Sequence, residues 1–214
     1  LELIRDEALL YNPTDPVLYK ELGWIYQHKV GNILDDANLY YKNQMAIALT
    51  KPFGGSDPDW EALAKAPADI SAFDKQYMAK KQYRAALKSS GIESTAALLT
   101  YFEDKNKLPE KFVETLDDAA MQKKIVFFFR AEWLREKFKL NPSLILSINK
   151  RYGALDWRLP ESQAIYWATL GLEKCPEKAD VSLERMISQS LKDSFMSGRL
   201  LMLDVKNYEN VITV

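Results

Sequence analysis

Glu7-Ala8-Leu9-Leu10-Tyr11-Asn12-Pro13, followed by Tyr19-x2-Leu22-Gly23-x2-Tyr26, is the stretch that most restricts what this chain can fold into. Two helical segments are separated by a proline that cannot continue the first. The second segment carries a glycine among large side chains at i−4, i−1 and i+3. Glycine inside a helix costs about 1 kcal/mol relative to alanine, and its missing side chain lets a neighbouring helix approach closely. Apolar residues recur at helical spacing along the rest of the chain and alternating strand patterns are scarce, so the expected class is all-α.

Ala8 and Pro13, then Tyr19, Leu22, Gly23 and Tyr26 in register, resemble the junction between two tetratricopeptide repeats (TPR), whose first helix carries W-x2-L-G-x2-Y. In that register Gly31 closes helix A, Asp35 or Asp36 caps helix B, and Ala37 with Tyr41 supplies a small-then-aromatic pair. Ala164-x3-Ala168-x2-Gly171-x4-Pro176 resembles the small-residue face of a helix B ended by proline. Trp167-x2-Leu170-Gly171 matches the helix A signature instead; the nearness of Pro176 favours the first register. The resemblance implies TPR-like antiparallel helix hairpins in a right-handed array with irregular extra helices. It implies a TPR-like unit at 1–52, an irregular helical region at 53–198 with a diverged repeat near 160–196, and a C-terminal tail at 199–214. These are expected to form one continuous fold, and a piece of a longer protein, since Leu1 falls inside a helical pattern.

Helices are expected at about 1–11, 15–30, 35–50, 58–66, 70–89, 93–104, 109–116, 118–139, 142–151, 160–175 and 179–196. Lys51-Pro52-Phe53-Gly54-Gly55-Ser56-Asp57-Pro58 is the clearest loop, with Asp57 a turn or cap residue. Gly54-Gly55 reads as a turn, since no lysine-serine pattern follows it into a helix. Leu-Asp-Asp-Ala occurs at 34–37 and 116–119, each time before a helical stretch, where carboxylates cap exposed N–H groups. Phe127-Phe128-Phe129 with Ile125, Trp133 and Leu134 makes a helix apolar around much of its circumference, which implies a central position. Tyr152-Gly153-Ala154-Leu155-Asp156-Trp157-Arg158 has two readings: an indole plugging the space between helices with Asp156 and Arg158 capping helix ends, or a ligand-facing loop.

Charge and reactive residues narrow the function. Twenty-nine basic residues against thirty acidic ones give a net charge of −1, with no basic excess to recommend nucleic acid. The apolar cluster at Ile125–Phe129 is far shorter than the roughly 20 residues a spanning helix needs, so no membrane insertion is expected. His28 and Cys175 are the sole histidine and cysteine, with no nucleophile motif around either, and they are too few for a zinc site. No catalytic residue, metal or cofactor is expected.

The resemblance implies that helix A lines a concave groove, where Val17, Lys20, Trp24, Gln27 and His28 are the inward positions and share one face at i, i+3, i+4 and i+7 spacing. Lys20, Trp24, Gln27 and His28 are therefore the expected binding residues for a protein or peptide partner, with Trp24 an aromatic anchor. The competing expectation is that Trp24 is core and the chain's own helices fill the groove. The expected function is a non-enzymatic protein-interaction or assembly module. The alternatives are an accessory domain of a larger enzyme or envelope-associated complex, and a small-ligand-binding helical domain.

Overall fold

The computed structural model describes residues 1–31, 37–55, 57–177 and 181–201, and every regular element among them is helical. The expected cap at Asp35 or Asp36, most of the first Leu-Asp-Asp-Ala, and the tail beyond Leu201 lie outside the described residues. The chain divides into two compact units, Leu1–Pro58 with Ser147–Val214, and Asp59–Leu146.

In the first unit a π-helical turn, Leu3–Ala8, runs into α1 (Leu9–Tyr11). α2 (Pro16–Ile25) begins with proline in its first turn, capped by Asp15, whose carboxylate accepts the Val17 N–H at 3.0 Å. The Tyr19 hydroxyl reaches back to donate to the Pro13 carbonyl at 2.7 Å, tying the linker to the helix. α2 continues without a break into π-helical Tyr26–Val30, which Gly31 closes by donating its N–H to the Tyr26 carbonyl at 2.8 Å. α3 (Asn38–Phe53) runs past the expected end at 50, carries Pro52 in its last turn and stops at Gly54, whose φ of 77° is left-handed. α11 (Pro160–Lys174) and α12 (Val181–Leu201) pack as a pair, with α2 against α11. α3 meets the preceding helix at Tyr26–Val30.

Small residues set the α2–α11 approach. A Cβ on Gly23 would meet the Met186 thioether of α12 and lie 3.6 Å from the Ala164 carbonyl, and one on Gly171 would lie 2.7 Å from the Tyr19 Cβ. The pairs Gly23 with Ala164 and Tyr19 with Gly171 run in opposite senses, so the two helices are antiparallel. The small residues Ala164 and Gly171 thus lie against α2, a partner distant in sequence.

From Asp156 to Ala168 every residue is buried, and this run is the spine of the unit. Trp157 is a plug: its indole N–H donates to Asn149 Oδ1 at 3.0 Å and its carbonyl accepts from Gln163 Nε2 at 2.7 Å. Asp156 and Arg158 are bound to each other, at 2.9 Å and 2.7 Å through Nε and one terminal nitrogen, and, against expectation, neither side chain caps the start of α11.

The second unit holds α4 (Trp60–Ala64), α5 (Ile70–Tyr77), α6 (Lys81–Ser89), α7 (Thr95–Lys105), α8 (Glu110–Leu116), α9 (Ala119–Phe138) and the start of α10 (Pro142–Tyr152). Asp59, Asp69, Ser94 and Asp118 each cap the helix that follows by accepting a backbone N–H. Asp59 rather than Asp57 therefore does the capping at α4. In the second Leu-Asp-Asp-Ala, Asp117 ends α8 in the left-handed region at φ 41° and Asp118 starts α9. The helix expected at 70–89 is broken at Met78–Lys80: Tyr77, one turn on from Phe73 in α5, stacks on it at 4.2 Å, and Tyr83 of α6, beyond the break, meets the same ring edge-on at 5.7 Å. Phe128 of α9 also stacks on Phe73, at 4.2 Å, and Phe128 and Phe129 are fully buried, so the aromatic helix is central as its composition implies.

Candidate functional site

The expected binding residues separate into two groups. Gln27 faces α12: its Nε2 donates to Ser190 Oγ at 2.6 Å and approaches the Met186 carbonyl at 3.3 Å. Lys20, Trp24 and His28 are exposed together with Val17, and Trp24 retains 41% of its surface. The expectation that Trp24 belongs to the core is not met, because Leu22, Gly23, Tyr19 and Tyr26 occupy the buried side of the same helix.

The exposed side is organised around the indole. The His28 ring centroid lies 5.2 Å from that of Trp24, and Lys29 Nζ lies 5.8 Å from the indole centroid, within reach of a cation–π contact. Lys29 is absent from the sequence-derived set because α-helical spacing turns residue i+5 well away from residue i. Tyr26–Val30 is π-helical, and its i→i+5 bonding brings Lys29 back over the turn that carries Trp24. A π segment has no sequence signal of comparable clarity. Glu21 is also exposed on α2, so the surface carries both signs of charge.

The buried groups below the surface are ionisable but structural. Burial, with a smaller contribution from Cys175, pushes the Tyr19 hydroxyl up to about 12, so it remains a donor to Pro13. Glu161, in the first turn of α11, is buried, and its Oε2 has no hydrogen-bond partner. Desolvation raises its pKa, opposed by its own backbone N–H and by Lys42 of α3 and reinforced by Asp193 of α12. A carboxyl whose pKa is raised on folding favours the folded state below the ordinary glutamate value, and that contribution is lost as pH rises through the raised value. Glu161→Gln should therefore remove a destabilising titration. In thermal melts from about pH 4 to about pH 8, the variant is expected to gain on the wild type as pH rises; a constant difference would show that Glu161 is not desolvated.

Among the described residues no group of three or more His, Cys, Asp or Glu side chains could hold a metal ion, and no helix is long and apolar enough to cross a membrane. Cys175 is buried, whereas His28 is on the surface. Surface depressions occur at Tyr11–Pro16 and around Met78, Arg84, Leu87 and Ile92, and neither is lined by Lys20, Trp24, Gln27 or His28. Comparison of the sequence with protein-family models and curated proteins, and of the structure with solved structures, finds no match.

Proposed function

We propose that the chain is a non-enzymatic protein-interaction or assembly module that takes a partner segment on the exposed face of α2. The observation that carries the proposal is Trp24, a large aromatic side chain left 41% exposed between His28 and Lys29. Exposed tryptophan is a costly surface choice for a monomer and a frequent anchor in interfaces. The resemblance of residues 1–50 to TPR supports the same reading, because stacked helix pairs present extended surfaces to peptides. In this scheme Lys20 and His28 contact the partner beside the indole, and Gln27 holds the π-helical end against α12 so that the face is fixed.

Trp24→Ala should weaken partner binding by about 2 kcal/mol, the size of an interface hot spot, while leaving the melting temperature close to that of the wild type. Titration of the purified partner against both proteins measures the first, and a thermal melt the second. Unchanged affinity would remove Trp24 from the interface; unfolding of Trp24→Ala would return it to the core.

A further inference from the structure

In the second unit, α6 carries Lys81, Arg84 and Lys88 and no carboxylate. Their i, i+3 and i+7 spacing puts them on one stripe, and all three are exposed. Like charges one turn apart, as Arg84 and Lys88 are, destabilise a helix. Lys65, Lys107, Arg135 and Lys137 of the same unit each have a carboxylate at 2.9–3.8 Å, whereas among the described residues none stands that close to the three cations of α6. Arg84 and Lys88 also edge a depression of about 410 Å³ lined by Met78, Leu87 and Ile92. Leu87 is buried and the other two are half-buried, so this apolar surface is recessed. Its volume falls within the range of small binding pockets. The acids beside it are Glu93, which shares the lining and is exposed, and Asp74, one turn before Met78 in α5, which accepts from the Thr95 hydroxyl at 2.5 Å.

Charge and shape together decide what fits. Arg84 and Lys88 are about 6 Å apart along the helix axis, close to the roughly 6.5–7 Å between alternate residues of an extended chain. A peptide with glutamates at two alternate positions and leucine at the next presents all three on one side, two acids for the cations and an apolar side chain for the depression. Nucleic acid matches less well, because Tyr77 and Tyr83 beside the stripe are buried and offer bases no stacking platform. A bilayer matches less well too: among the described residues, no large apolar side chain of Asp59–Leu146 is exposed to enter it. A second copy laid α6 on α6 would set cation against cation. We infer that the depression beside α6 is a docking site for an extended, acidic, leucine-containing segment of a partner protein, separate from the α2 face.

The test uses the full chain and three fluorescein-labelled synthetic peptides, read by fluorescence anisotropy. One carries glutamate-serine-glutamate-serine-leucine, the second glutamine in place of both glutamates, and the third serine in place of leucine. The first should bind about tenfold more tightly than the second, with an affinity that falls as salt is added, and about fivefold more tightly than the third. Arg84→Gln and Lys88→Gln should each weaken it by about fivefold, while Glu93→Gln should tighten it. Trp24→Ala and Lys150→Gln, which changes an exposed lysine of the first unit, should leave it unchanged. Lys88 lies in the last turn of α6, where a cation complements the helix dipole, so Arg84→Gln carries the test if Lys88→Gln lowers the melt. Equal binding of the glutamate and glutamine peptides, equal binding of the leucine and serine peptides, unchanged affinity in Arg84→Gln, the same loss from Lys150→Gln, or tighter binding of single-stranded oligonucleotide or anionic vesicles would each overturn the inference. Because Trp24→Ala and the α6 variants report different surfaces, failure here leaves the α2 proposal standing, and the reverse also holds.

Discussion

Asp156→Ala is expected to destabilise the first unit by about 3–5 kcal/mol, the cost of leaving a buried charge without its counterion. Arg158 is only 2% exposed, and Asp156 grips its guanidinium through two oxygens while also accepting its backbone N–H at 3.0 Å. The pair sits at the head of α11, where Ser162 Oγ donates to the Asp156 carbonyl at 2.7 Å. Loss of the carboxylate thus disturbs the loop that seats Trp157 and the first turn of the spine helix together. Asp156→Asn should lose a comparable amount, since it preserves shape but removes the charge. Urea unfolding followed by tryptophan fluorescence measures both. A loss below about 1 kcal/mol, the range of an exposed pair, would mean that Arg158 reaches water.

Gly171→Ala should cost about 1–3 kcal/mol by overpacking, against a helix-propensity gain of up to about 1 kcal/mol. The new methyl would sit 2.7 Å from the Tyr19 Cβ and 3.1 Å from Leu183 Cδ1. A Cβ is fixed to the backbone, so relief requires α2 and α11 to separate. Gly23→Ala should cost less, because its close neighbour is the Met186 thioether, the far end of a flexible side chain. Gly23→Leu should rejoin the larger loss. Denaturation of the three variants orders them, and a stabilised Gly171→Ala would show that the helices do not touch there.

What the sequence made legible is mostly local. Asp118 as a cap, Pro160 at the start of α11, Gly31 at the end of the π turn and the burial of Phe128 each depend on a few neighbouring residues and on helical periodicity. Gly23 also reads correctly as a close-approach position, since a glycine inside an apolar helix needs a reason. Its partner does not: α11 lies far along the chain, and nothing in residues 15–30 encodes which helix will press against them. The break at Met78–Lys80 accompanies the return of Tyr83 of α6 to the ring of Phe73 in α5, a tertiary contact that local helix propensity does not encode. Gln27 shows the same limit at the candidate site. Periodicity puts it on the face with Trp24, and the hydrogen bond to Ser190 of α12 takes it away. Lys29 arrives by the opposite route, through a π-helical turn that α-helical counting does not anticipate.

Partner binding through α2 is tested most directly by placing a photo-crosslinking phenylalanine derivative at Val17, which is 56% exposed and lies two turns from Trp24 on the same face. This leaves Lys20, Trp24 and His28 intact. A control carries the same group at Lys81, exposed at the start of α6 in the second unit. Irradiation of the full chain in the cells that produce it should yield a discrete crosslinked partner from position 17, lost when Trp24→Ala is added and absent from position 81. No crosslink at position 17, or the same products from both positions regardless of Trp24, would contradict an interaction surface on α2.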